Sequence, residues 1–346
     1  MFLSRSCLAA ASLAVLATTL AGCATTAAPA IAGLPAVNVT ATAETVPVGT
    51  ANADAADDPA IWHNAGDPEA SLIVATDKKA GLYVYGLDGT VKSFVEGGLL
   101  NNVDLASLPD DRVIVVASDR NDRAHSQLQI YQLNTGTGTL DLMGVVPGGA
   151  GEGYGLCLGV KDDGIHAYSV IKDGTIHEVK LGFDGKLTGT FERRMKVPTQ
   201  AEGCVVDPSD GTLYVGEEDA GIWRFRPGES TGSIVAPVDN QQLVADVEGL
   251  AIWSGANARF LVASSQGDNA YAVFRLPEVT PVGRFRVGAG AFGATEETDG
   301  IEIASGNFGP NYPDGLFVAQ DGHNAPHAQN FKLVSWKAIA EALGLK

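Results

Sequence analysis

From about residue 56 onward, short apolar, β-branched runs alternate with clusters of Gly, Asp, Asn and Pro. Runs of this length between such breakers predict strands and tight turns. One segment departs from the pattern: 335–345 (SWKAIAEALGL) has the spacing of a short terminal helix. The strand pattern also repeats. A strand ending in a polar turn recurs as LIVATDKKAG (72–81), VIVVASDRND (113–122), HAYSVIKDG (166–174), TLYVGEEDAG (212–221), FLVASSQGDN (260–269) and GLFVAQDGHN (315–324), each followed by a further strand. Ahead of each copy, a polar residue leads into a short apolar strand. These lead residues are Asp58, Asp104, Tyr154, Glu202, Glu248 and Asp299, spaced 46 to 51 residues apart. Six matched units of three or four strands predict an all-β protein, a six-bladed β-propeller. The alternating stretch 37–48 (VNVTATAETVPV) precedes the first unit and is expected to be an N-terminal strand closing the last blade.

In a propeller the innermost strand of each blade starts near the central channel, so the six lead residues should converge on one axis. Five of them are carboxylates. Asp-Gly would also serve as plain turn chemistry, but Glu is a poor turn residue, which favours a functional acidic centre. The first unit is the densest: in DAADDPAIW (54–62), Asp54, Asp57 and Asp58 fall within five residues and repel one another unless a cation intervenes. Asp58 is read as the match of Glu202, Glu248 and Asp299, Asp57 as its neighbour, and Asp54 as a solvated turn residue.

Clustered carboxylates with carbonyl and Asn oxygens suit a hard cation, above all calcium. The six histidines (63, 125, 166, 177, 323, 327) follow no zinc-ligand spacing. Lys78, Lys79, Arg120 and Lys172 lie in three consecutive repeat turns. Beside the acids they would form an oxyanion pocket, and phosphate fits such a pocket. The Gly-x-Ser-x-Gly match GESTG (228–232) sits in a Pro/Gly/Ser-rich turn without the strand-then-helix context of a nucleophile elbow, no phosphatase nucleophile loop occurs, and GAGEGYG (149–155) likewise lacks the strand-then-helix context of a dinucleotide site. Metal-activated water is therefore favoured over a covalent intermediate.

Residues 1–22 read as an export signal, with Arg5 ahead of an apolar stretch too short to span a bilayer. The segment ends Leu20-Ala21-Gly22-Cys23, a lipobox pattern that makes Cys23 the expected lipidated residue, with 23–36 as a tether and 37–346 as the propeller. The expected location is outside the cytoplasm, periplasm-facing or at the outer membrane or cell surface, with membrane contact only through the lipid. The formal charge of the whole chain is −18. Cleavage before Cys23 removes one base, Arg5, and no acid, leaving about −19. That balance argues against a nucleic-acid partner. Of the two remaining cysteines, Cys157 and Cys204, an oxidising compartment permits a bridge, but buried free thiols are the expected state.

These residues together resemble the β-propeller phytases, the alkaline calcium-dependent kind. Matching blocks include DAADDPAIW, TDKKAGLYVY, LLNNVDL, ASDRN, YGLCL, AEGC, YVGEEDAGIW, DVEGL and ETDGIEI, and the likeness runs from about Glu44 to Ile339. The resemblance implies a phosphoric monoester hydrolase of the 3-phytase type. It would act through several calcium ions on phytate (inositol hexakisphosphate), taken as its calcium complex by a monomer. It also implies that Lys78, Lys79, Arg120 and Lys172 hold phosphates, and that Asp58, Glu202, Glu217, Asp246, Glu248 and Asp299 bind catalytic calcium. Tyr154 would contact substrate or a calcium-bound water, and Asn102, Asp104 and Glu218 would be further members. The catalytic set is then Lys78, Arg120, Tyr154, Lys172 and Glu202. The chain departs from the family after Arg120 and is short between Asp321 and Phe331, which affects loop-supported calcium sites. Two other readings remain at this point: a calcium-dependent propeller lactonase, and a propeller that binds a ligand without turnover.

Overall fold

The structure, a computed structural model, describes residues 31–345. The export signal, Cys23 and the first part of the tether lie outside the described residues. Six small antiparallel sheets form in chain order. Blade 1 comprises Ala56–Trp62, Leu72–Asp77, Gly81–Gly86 and Val91–Glu96, and blade 2 Leu100–Ser107, Val113–Asp119, His125–Asn134 and Thr139–Ala150. Blade 3 comprises Gly153–Lys161, Gly164–Ile171, Thr175–Gly182 and Thr188–Lys196, and blade 4 Ala201–Val206, Leu213–Glu217, Gly221–Phe225 and Ser233–Pro237. Blade 5 comprises Val247–Ser254, Arg259–Ser265, Ala270–Arg275 and Thr280–Gly288, and blade 6 Ile301–Ala304, Leu316–Asp321 and Asn330–Ser335. This is the six-bladed propeller that the repeats predict.

The core is a ring of six layers, one between each pair of neighbouring blades. Between blades 3 and 4, for example, Tyr168, Val170 and Ile176 pack on Leu213, Val215 and Phe225. Between blades 6 and 1, Phe331 and Leu333 pack on Ile73, Ala75 and Tyr85. Alternation along each strand sends one face to each neighbour, so both faces are apolar and the middle strands are buried throughout, as in Leu72–Asp77. The terminal helix, Trp336–Leu343, buries Trp336 and Ile339 against blades 5 and 6, with Trp336 stacked 5.2 Å from Trp253.

Ring closure differs in one respect from the expected single strand. Ala43–Glu44 does complete blade 6, pairing antiparallel with Asn330–Ser335. Val37–Thr40 instead adds a fifth, parallel strand to blade 5 beside Thr280–Gly288. The N-terminal segment therefore laces two blades together. Buried Lys332 anchors it, its Nζ lying 2.6 Å from Glu44 and 3.0 Å from Asp321.

At the axis the inner strands crowd each other. A side chain on Gly155 would collide with the carbonyl of Glu202, and one on Gly203 with that of Glu248. The glycine after a lead residue is thus required by close approach of the next blade, not by turn geometry. The same crowding corrects the expectation of free thiols. Cys157 and Cys204, on the inner strands of blades 3 and 4, have Cα atoms 5.6 Å apart and form a disulfide. Their sequence separation of 47, one repeat, had given no sign that the two positions face each other.

The bridge closes a loop long enough that chain entropy assigns it about 4 kcal/mol. Replacing both cysteines by serine should lower unfolding free energy by about 2–4 kcal/mol in urea titrations, with the native fold retained.

Candidate active site

Each blade sends one residue to the axial end of the ring and blades 1 to 5 send a second, and the backbone explains which. In blades 1 to 5, the inner strand skips two residues in its pairing with the second strand: 57–58, 101–102, 154–155, 202–203 and 248–249. The first of each pair forms the axial ring: Asp57, Asn101, Tyr154, Glu202 and Glu248. Asp299, before Gly300, is its counterpart in blade 6. The carbonyls of Asp299 and Asp57 accept the N–H groups of Gly249 (2.8 Å) and Gly300 (3.0 Å), stitching blades 5, 6 and 1 together.

This register corrects two assignments. The match of Glu202 in blade 1 is Asp57, not Asp58, and in blade 2 it is Asn101, not Asp104. Asp58 and Asp104 lie deeper along the axis. Asp58 accepts the Val103 N–H (3.0 Å), and Asp104 accepts those of Leu105 (2.6 Å) and Leu158 (2.7 Å). With Glu302 they line the narrow channel beneath the ring. Sequence reading missed Asn101 because an amide breaks the acidic pattern, and Glu302 because it follows the lead residue by three.

The second ring comes from the turn after each second strand. The N–H groups of Lys78, Arg120, Lys172, Glu218 and Gln266 donate to the carbonyls of Ala55, Leu99, Glu152, Gln200 and Asp246, each two residues before the axial-ring residue of its blade. That bond docks the turn at the top of its blade. The acid immediately before the docked residue does local work instead. Asp77 accepts the N–H groups of Thr50 and Lys79, and Asp119 that of Asn121. Glu217 is saturated by the N–H and hydroxyl of Thr199 (2.7 and 2.5 Å) and by the Trp223 indole (2.7 Å). Glu217 therefore holds a turn, and the acid of that turn that joins the axial carboxylates is Glu218. Lys79, the residue after Lys78, is exposed.

The assembled site is polarised. Blades 1 to 3 bring Lys78, Arg120 and Lys172. Lys172 Nζ lies 4.6 Å and Arg120 Cζ 5.7 Å from the centre of the Tyr154 ring, so the tyrosine carries both cations on its π face. Blades 4 to 6 bring Glu202, Glu218, Glu248 and Asp299, with Asp246 behind Glu218. One carboxylate oxygen from each of Glu202, Glu218 and Glu248 lies within 4.8 Å of the others. Amides support the acids: Asn101 donates to Glu202 (2.5 Å), Gln200 to Glu218 (2.6 Å) and Gln266 to Asp299 (2.7 Å). Lys78 reaches across to Asp57 and Asp299, both at 2.8 Å, and to Asp54 at 2.9 Å. Asp54 is thus an ion-pair partner rather than a free turn residue.

The donor set fits a hard divalent cation. Buried Glu248 Oε2 and Asp57 Oδ1 have no protein partner, and unpaired buried carboxylate oxygens are costly without a cation. Burial, then Asp57 and the neighbouring acids, hold Glu202 well above the ordinary carboxylate range. Burial, then Asp299 and Glu218, do the same for Glu248. Burial and Asp57 push Asp299 up to about 7 despite Lys78, and burial pushes Asp104 up to about 6.

The axial carboxylate cluster thus faces an arc of cations across one propeller end. A sequence model of the phytase family matches residues 4–346. The 3-phytase of Bacillus subtilis (strain 168) is 38% identical over 327 residues, covering 88% of this chain and 85% of that protein. The chain belongs to the phytase family.

The raised carboxylates set a pH dependence. Each binds a proton in the folded chain at pH values where the unfolded chain, with carboxylates near 4, has released it. Stability should therefore fall as pH rises from about 4 through 6 and 7, the ranges of Asp104 and Asp299. Acids held low by ion pairs, such as Glu178 at about 2, act only below that window. In EGTA, the melting temperature should drop between pH 5 and 8. A divalent cation taken up by these carboxylates would favour the ionised form and flatten the profile.

Proposed function

We propose that this protein hydrolyses phosphate monoesters of phytate in a calcium-dependent reaction, releasing phosphate and lower inositol phosphates. Family membership supports the reaction. The observation that carries the site assignment is the split ring, with three cations on consecutive blades opposite a carboxylate arc. A lactone, being uncharged, has no use for Lys78, Arg120 and Lys172 together, whereas a phosphate dianion uses all of them.

Arg120 and Lys172, fixed on the Tyr154 ring, hold oxygens of the phosphate under attack, and exposed Lys79 is placed to meet a second phosphate on the inositol. Burial and its acidic neighbours keep the Tyr154 hydroxyl protonated, so the residue is a neutral spacer and hydrogen-bond donor. Asp57, Glu202, Glu218, Glu248 and Asp299 are the proposed calcium ligands, with Asp246, whose charge repels that of Glu218, as a further member. Calcium held there supplies the positive charge that neutralises carboxylates and phosphate and lowers the pKa of nearby water. Glu202, held by Asn101, orients the water that attacks phosphorus in line. The phosphorus–oxygen bond to the inositol breaks, and the alcohol leaves with a proton. The net change is monoester plus water to alcohol plus inorganic phosphate. Because protein and substrate are both strongly acidic, the calcium–phytate complex is the proposed substrate, met by a monomer.

Phosphate release from phytate should require calcium and stop on full chelation with EGTA. Glu202→Gln should cut the rate by about 10²–10³-fold, the scale of removing an electrostatic catalytic group. Undiminished turnover in EGTA would overturn the calcium assignment.

We propose further that the chain is exported and lipidated at Cys23. The lipobox pattern and a disulfide suited to an oxidising compartment support this. Cells fed labelled palmitate should incorporate it into the wild type and not into Cys23→Ser. Equal labelling, or none in either, counts against the anchor.

A further inference from the structure

Lys78 is placed differently from the other two cations of its ring. Arg120 and Lys172 lie along an aromatic face, with Glu152 at 3.8 Å from Arg120 as the nearest acid partner among the described residues. The Lys78 ammonium instead sits against oxygens of Asp57, Asp299 and Asp54 at 2.8, 2.8 and 2.9 Å, with its side chain 8% exposed. Of these contacts the one to Asp299 is a hydrogen bond, and those to Asp57 and Asp54 are close ion pairs. In this position the Lys78 ammonium is held among three carboxylates and away from the other two cations. Its backbone is pinned by the bond to the Ala55 carbonyl (2.7 Å), so a change of partner requires only rotation of the four-carbon stem.

Asp57 and Asp299 are also among the oxygens that a divalent cation would take, and the free Oδ1 of Asp57 adds to that demand. We infer that Lys78 and calcium compete for the Asp57–Asp299 pair. A calcium ion taking those carboxylates turns the Lys78 ammonium outward beside Arg120 and Lys172. The third cation of the phosphate site then becomes available only after the metal is loaded. Calcium dependence would thus have two origins in one event: charge supplied at the acids, and a lysine released for the substrate. The inference rests on the reading of Asp57 and Asp299 as calcium ligands.

Two measurements test it on the full-length protein without substrate. In the first, amine modification of wild-type Lys78 is followed by mass spectrometry in EGTA and in calcium, with exposed Lys79 as internal reference. Exchange requires Lys78 to react slowly in EGTA and at least about tenfold faster in calcium, the extent expected when a buried ion-paired ammonium becomes solvated. An unchanged or lower rate overturns the inference. In the second, calcium titration calorimetry compares wild type, Lys78→Met and Lys79→Met. Removing the competitor should tighten calcium binding by on the order of tenfold in Lys78→Met. Lys79→Met removes the same charge without removing a competitor and should shift affinity much less. Equal affinity in the two variants overturns the exchange while leaving calcium binding intact. A wild type that binds no calcium overturns both the exchange and the calcium reading beneath it.

Discussion

Like charges crowd the axis of this propeller, and most of the structure can be understood as a way of tolerating that. Six inner strands approach so closely that only glycine fits after the lead residue in blades 3 to 6, at Gly155, Gly203, Gly249 and Gly300. Whatever precedes that glycine is delivered to the centre, and four of the six ring residues are acids. Their repulsion is offset by neutral amides from Asn101, Gln200 and Gln266, by Lys78 and by retained protons. The hydrophobic layers between blades, the bridge from Cys157 to Cys204 and the N-terminal lacing hold the ring closed against what remains.

The blades share one geometry but not one chemistry. The same backbone bond docks Lys78, Arg120, Lys172, Glu218 and Gln266 above their blades, so five equivalent positions carry three cations, an acid and an amide. Function arises where the repeat is broken in composition while kept in backbone. Cations stand on one arc and acids on the other, so one site carries charge of both signs although the protein as a whole is strongly acidic. Tyr154 marks the boundary: it takes an acid's place in the axial ring and becomes the platform on which Arg120 and Lys172 rest.

Some of this was legible from residue order because it is periodic. Glu202, Glu248 and Asp299 stood out by spacing, and Lys78, Arg120 and Lys172 by their place in successive turns. Other positions were off by one to three residues for a definite reason. Spacing alone cannot say which residue a strand skips, and here the skipped pair moves the axial position from Asp58 to Asp57 and from Asp104 to Asn101. The choice between Glu217 and Glu218 was likewise invisible. It depends on Thr199 and Trp223, which are distant from the axis but in reach of Glu217.

The sequence by itself determined the blade count, the all-β class, the acidic centre and the cations beside it. All of these follow from periodic patterning and from residue types whose chemistry is independent of neighbours. Tertiary structure decided the register at the axis, the split of the N-terminal segment between blades 5 and 6, the disulfide, and the three carboxylates around Lys78. Each depends on where neighbouring blades approach within a few ångströms, and that distance is set by closure of the whole ring rather than by any local stretch of chain. The triad DAADDPAIW carries shows both halves. Its charge density announced a site, but only the closed ring divided its acids, with Asp57 in the axial ring, Asp58 in the channel and Asp54 on Lys78.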